Sequence, residues 1–170
     1  MEQRRLDLGP VEAVDAESFG EPGNRTFRLM VRAGQGTVSL WLEKQQVVGL
    51  GAAIQELLEQ TPEVEESREP ASQAFRGEFE VHVGSLGIGH SKARRGFVIE
   101  AGDFETAFDL SSIEFLASRG QVAALLDQIH EIVAAGRPRC VLCGTPLTGE
   151  PHLCPESNGH ARLTGEHNAT

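Results

Sequence analysis

Apolar and polar positions alternate with a period of two through much of the first forty residues, and again from about residue 78. Leu6 to Ala16 reads as an opening strand, followed by a turn at Gly20-Glu-Pro-Gly-Asn24. Over residues 25–32, Phe27, Leu29 and Val31 fall on one face of a strand. Ala33-Gly-Gln-Gly36 turns the chain into the next, where Val38, Leu40 and Leu42 alternate with Ser39 and Trp41. Successive side chains of a strand point to opposite faces of its sheet, so this pattern predicts half-buried strands. The period then lengthens. Val47, Leu50, Ile54, Leu57 and Leu58 recur at three and four residues and predict an amphipathic helix with one core-facing stripe.

The same order returns further on. Phe79, Val81 and Val83 alternate with Glu78, Glu80 and His82, and Gly84-Ser-Leu-Gly87-Ile-Gly89 reads as a bend or a bulged strand. A polar turn over Gly89 to Gly96 leads into Phe97-Val-Ile-Glu-Ala101, and a further strand is predicted near Ser112 to Leu116. Ser118 and Gln121 have the spacing of a capping box, in which each side chain satisfies a free backbone amide at a helix start. Val122, Leu125, Leu126, Ile129, Ile132 and Val133 form the helical stripe, which Gly136 and Pro138 end.

The two helices align at an offset of 75 residues, pairing Lys44 with Arg119, Gln46 with Gln121, Val47 with Val122, Leu50 with Leu125 and Ile54 with Ile129. Amphipathic helices of any origin share much of this pattern, so chance competes with duplication. The expected fold class is α+β. Duplicated β-β-β-α halves, residues 1–60 and 77–136, form a mainly antiparallel sheet or barrel with two packed helices, plus a C-terminal zinc knuckle. The acidic linker 61–76 joins the halves within a domain of residues 1–136. The knuckle covers 137–160 and a frayed tail 161–170. The linker segment Thr61-Pro-Glu-Val-Glu-Glu-Ser-Arg-Glu-Pro70 has too little apolar surface to bury and reads as a solvated connection.

Charge narrows the function classes. The net charge is −10 over 170 residues, with the strongest acidic excess at 61–80. A protein that grips phosphate backbone presents a basic face, because counterion release supplies most of its affinity. Here only Lys92, Arg94 and Arg95, and the pair Arg137 and Arg139, cluster locally, so nucleic acid is disfavoured as a partner. No apolar run is long enough to cross a bilayer, and no apolar segment follows Arg4 and Arg5 to make a secretory signal. A cytoplasmic protein is expected.

The chemistry-bearing motif is Cys140-Val-Leu-Cys143-Gly144, returning at His152-Leu-Cys154-Pro155. Two residues between Cys140 and Cys143 let both sulfurs reach one ion from a tight turn. Eight residues then suffice for a small hairpin that brings His152 and Cys154 back. Cys140, Cys143, His152 and Cys154 make a closed Cys₃His shell, the donor set of a structural zinc site. Such a shell leaves no position for a catalytic water. Three cysteines within fifteen residues do not make a disulfide framework. A redox motif would follow a strand and open a helix, whereas this one follows a helix. Val141, Leu142, Leu147 and Leu153 are candidates to pin the knuckle to the main body, and His160 is a spare candidate ligand.

No Gly-x-Ser-x-Gly elbow, Walker-type loop or dinucleotide fingerprint is present. The glycines at 84–89 neither open a helix nor precede the required lysine. His82 and His90 flank them as ordinary surface histidines. Trp41, opposite the Val38 stripe, either covers core or sits on a binding face. Gly20, Pro22 and Gly23 shape a loop that presents Glu21, Asn24 and Arg25 as candidate ligand-binding residues. The plainer reading is a strand-connecting turn.

Three stretches carry a family resemblance: Phe19-Gly-Glu-Pro-Gly-Asn-Arg-Thr-Phe27, Val38-Ser-Leu-Trp-Leu-Glu-Lys-Gln-Gln-Val47, and Ala134-Ala-Gly-Arg-Pro138 running into the knuckle and Asn158-Gly159. The chain resembles the bacterial family "domain of unknown function 3090", found mainly in high-GC Gram-positive organisms, over nearly its whole length. The resemblance implies a cytoplasmic protein of this two-part layout and brings no activity with it. An aromatic residue commonly follows Asn-Gly in the family, and here His160 takes that place. The functional expectation is a zinc-stapled binding or adaptor protein whose partner is a protein or a small ligand. The alternatives are an enzyme acting on a phosphorylated or acidic small molecule near Glu21–Arg25, and nucleic-acid binding through the knuckle.

Overall fold

The computed structural model describes residues 4–21, 23–62, 66–67, 69–70, 75–102, 110–135, 140–144 and 153–154. Among the described residues, eight strands and two helices follow in the order β1 (Arg4–Pro10), β2 (Ala13–Phe19), β3 (Thr26–Ala33), β4 (Gln35–Leu42), α1 (Lys44–Gln60), β5 (Arg76–His82), β6 (Ser85–Ser91), β7 (Gly96–Gly102), β8 (Leu110–Ala117) and α2 (Arg119–Ala135). The α+β class is as expected, but each half carries four strands before its helix instead of three. The expected opening strand over 6–16 is two strands broken at Val11 and Glu12. The Gly84–Gly89 stretch enters a regular strand, β6, with Leu86 and Ile88 packed against the core.

The strands form two four-stranded sheets, ordered β1-β8-β7-β6 and β2-β3-β4-β5. Neither closes, so the barrel alternative is corrected. The chain leaves β1 and β5 at a bend and enters the other sheet instead of completing a ladder. Both sheets are mixed: β1 runs parallel to β8 and β4 parallel to β5, and the remaining pairs are antiparallel. Each sheet therefore takes one edge strand, β1 or β5, from the half of the chain that does not supply its other three. The bends match as well. Val11 N donates to Leu116 O and Val83 N to Trp41 O, both at 3.0 Å, while Glu12 N donates to Arg32 O and Gly84 N to Gly102 O.

One core fills the space between these layers. Phe27, Leu29, Val31, Val38 and Leu40 meet Phe97, Ile99, Ile113 and Phe115, and the helices add Val47, Leu50, Ile54, Val122, Leu125 and Ile129. The helical stripes read from the sequence are therefore core-facing, with Leu57, Leu58, Leu126, Ile132 and Val133 at their margins. Helices α1 and α2 pack on each other, α1 also on β6 and α2 on β2. At Gly51 the helices come close enough that a Cβ would lie 3.0 Å from Ile129 Cγ2.

Polar side chains fix the helices in place. Ser118 N donates to Gln121 Oε1 and Gln121 N to Ser118 Oγ, the capping box expected from the sequence. Gln121 Nε2 also donates to Val11 O and Glu12 O, and Gln46 Nε2 likewise to Val83 O and Gly84 O. Each glutamine thus ties a helix start to the bend between two sheets. Arg119 donates to Leu58 O and Thr61 O, bringing a cation to the C-terminal end of α1, where the helix dipole favours it. On the edge strand β2, Ala16 N donates to Gln128 Oε1, which covers a backbone group that would otherwise invite another strand.

Candidate functional sites

Cys140 to Gly144 form a tight turn beyond α2. Gly144 N donates to Cys140 O at 2.9 Å, and Gly144 adopts φ +72°, a conformation that favours glycine. The turn presents the thiols of Cys140 and Cys143 on one side, and Cys154 returns to them with only 4% of its surface exposed. The three Sγ atoms lie within 4.8 Å of one another, and no disulfide joins any two of them. Tetrahedral zinc with Zn–S near 2.3 Å places its sulfurs about 3.8 Å apart, which falls inside that bound. Three soft sulfur donors at this spacing suit zinc or another thiophilic metal. Without a cation, thiolates packed so closely would repel. His152 and His160 lie outside the described residues.

The expectation that apolar side chains pin the knuckle is corrected. Val141 is 98% exposed and Leu153 91%, and Leu142 is also exposed, while Leu147 lies outside the described residues. Among the described knuckle residues only Cys154 is buried, so burial contributes little to cohesion there.

The loop between β2 and β3 is a turn, as its plainer reading held. Gly20 and Gly23 adopt φ +97° and +91°, and Asn24 N donates to Glu21 O at 3.0 Å. It also borders a concavity of about 200 Å³, lined by Gly23, Asn24, Arg25, Phe27 and Lys44. Glu21 is exposed and does not line it. Arg25 Nη1 donates to Ser18 Oγ at 2.8 Å, and its Nε is buried without an acceptor. Lys44, 19 positions away in the chain, was not placed beside Arg25 by any local pattern.

The Lys92–Arg95 cluster is not a free basic strip. Arg94 donates to Glu69 at 3.0 and 3.1 Å, to Glu114 at 2.8 Å and to Asp7 at 3.3 Å. Glu114 also receives Arg5, which reaches Glu100 at 3.1 Å. The hydrogen bonds that Arg94 donates to Glu69 chiefly raise its pKa above the ordinary value, with Asp7 adding to it and burial opposing it. This hub ties β1, β8 and the connecting segment together, so Glu69 is anchored rather than simply solvated. Arg137 and Arg139 lie outside the described residues.

On the outer face of β2-β3-β4-β5, Glu17, Arg28, Trp41 and His82 stand in register across the four strands. Arg28 pairs with Glu17 and lies over the rings of Phe19 and Trp41, at 4.8 and 5.3 Å from their centroids. Trp41 stacks with His82. Trp41 is thus half-exposed on the outer surface rather than a core residue. His90 belongs to the other sheet, half-buried against Phe97, so the two histidines do not converge.

The protein family described as Protein of unknown function (DUF3090) matches residues 7–154, a span that takes in both sheets, both helices and all three cysteines. Among curated proteins and among solved structures, none matches the chain.

Proposed function

The chain belongs to the DUF3090 family, and from its geometry we propose that it is a binding or adaptor protein whose C-terminal knuckle is held by a structural zinc ion on Cys140, Cys143, His152 and Cys154. The observation that carries this reading is the convergence of three sulfurs within 4.8 Å in a segment whose described apolar side chains, Val141, Leu142 and Leu153, are exposed. Zinc binding contributes on the order of 10 kcal/mol of apparent folding free energy to such sites. That is ample for a turn that burial leaves loose. Bound there, the ion would supply cohesion. A cysteine cluster that binds a metal ion suits a reducing compartment, in keeping with a cytoplasmic protein.

Val141 and Leu153 flank the ligating positions and face outward. A rigid knuckle that holds apolar side chains in solvent suits contact with a protein partner. The small-ligand arm rests instead on the Asn24–Arg25–Lys44 concavity. Nucleic-acid binding through the knuckle is the weakest reading, since carboxylates occupy Arg94.

The matched strand orders, bends and helix-start glutamines support an origin by duplication, with the first strand of each half exchanged between sheets. To test the staple, the full chain is purified without added metal and its metal content measured. About one zinc per chain is expected from the wild type and little from Cys143→Ser. Equal metal in both would remove the staple.

A further inference from the structure

We infer that the concavity lined by Asn24, Arg25 and Lys44 is a binding site for the oxyanion, phosphate or carboxylate, of a small molecule. The inference rests on the small-ligand arm of the proposed function and names its ligand class. The half-buried arginines of the described structure supply the contrast. Arg28 has Glu17, Arg94 has Asp7, Glu69 and Glu114, and Arg119 has two carbonyls. Arg25 has one serine hydroxyl and no carboxylate among the described residues, and its Nε is closed off from solvent. A guanidinium carries five N–H donors in a fixed fork that matches an oxyanion. The part of Arg25 that lines the concavity carries a charge that no described carboxylate offsets, so it suits a ligand that brings charged acceptors.

The surroundings fit the same class. Ser18 holds Nη1 and thereby sets the plane of the fork before any ligand arrives. Lys44 makes no ion pair among the described residues and adds a second positive charge to the lining. It opens α1, whose first-turn amides are met by the Glu43 cap, so the positive charge facing the pocket is that of Lys44 and Arg25. A volume of about 200 Å³ exceeds a bare phosphate and leaves room for the group that bears it.

The other half of the chain has a counterpart without this character. Arg95 immediately precedes β7 as Arg25 precedes β3, and it lines a concavity at the start of α2. That one is also lined by Glu66 and Ser67 from the connecting segment. An acidic residue there opposes an anion, so the α1 pocket is the one suited to it.

The test uses the full chain, isotopically labelled, titrated separately with inorganic phosphate and with acetate at constant ionic strength set by chloride. Metal content is measured on the same sample. Saturable shifts of the Asn24, Arg25, Lys44 and Gln45 amides are expected with at least one of the two probes, and the probe that binds more tightly identifies the oxyanion. Arg25→Gln is expected to weaken that binding at least tenfold and Lys44→Gln three- to tenfold. Because Lys44 is exposed and unpaired, Lys44→Gln reports even if the arginine variant folds poorly. Shifts that do not saturate, or that scatter away from the pocket, overturn the inference, as does unchanged affinity in Lys44→Gln. Anion binding in a metal-free sample would sink the staple alone, and metal without anion binding would sink the pocket alone.

Discussion

Replacing Gln121 by methionine keeps length and helix propensity while removing every polar contact of the side chain. Its Oε1 accepts from Ser118 N at 2.9 Å and its Nε2 donates to Val11 O at 2.9 Å, both partly buried. The contact with Glu12 O is exposed, and water can replace it. Each of the two partly buried bonds contributes about 1 kcal/mol net, and an unsatisfied group left behind adds to the loss. The expected destabilisation is therefore about 2–3 kcal/mol, a fall of roughly 4–12 °C in Tm for a chain of this size. Gln46→Met makes the corresponding change at α1. Its bond from Glu43 N is exposed and only the one to Val83 O is partly buried, so about 1–2 kcal/mol is expected. The two sites share no partner, and their effects should add to within about 0.5 kcal/mol. Urea denaturation of the three variants, followed by circular dichroism, measures this. A loss below about 0.5 kcal/mol for Gln121→Met, or a larger loss at Gln46, would refute the reasoning that these glutamines hold the inter-sheet bends.

Further changes probe other parts of the fold. Gly51→Leu forces a side chain into Ile129 and should cost about 2–3 kcal/mol. Gly49→Ala, at an exposed site of the same helix with open space around it, should gain about 0.5–1 kcal/mol, and thermal melts distinguish the two. Arg94→Met leaves Asp7, Glu69 and Glu114 without their shared cation and should cost about 1–2 kcal/mol at pH 7. Urea denaturation of Arg94→Met against the wild type at pH 7 measures this loss.

The inner faces of β3, β4 and β7 were legible because a period of two leaves a mark that does not depend on partners. The break between β1 and β2 was also written in the chain. Leu6 and Leu8 occupy even positions, Val11 an odd one, then Val14 and Ala16 even ones again, and this change of parity is the bend. It was obscured because apolar residues continue across it. In β6, Gly87 and Gly89 replace the polar half of the alternation and disguise a strand whose Leu86 and Ile88 still alternate. The parallel pairing of β1 with β8 joins residues more than a hundred positions apart, and nothing local specifies it. The convergence of Cys140, Cys143 and Cys154 could be read early because metal chemistry restricts both residue type and spacing. Arg25 and Lys44 could not, since only the path through β3 and β4 brings them to one concavity.

The central claim is that three sulfurs and one imidazole share a zinc ion, and zinc K-edge X-ray absorption of the purified full chain addresses it most directly. Three sulfur neighbours at about 2.3 Å and one nitrogen at about 2.0–2.1 Å are expected, with the nitrogen lost in His152→Ala. A shell of oxygen and nitrogen only, or a protein that carries no thiophilic metal, would contradict it.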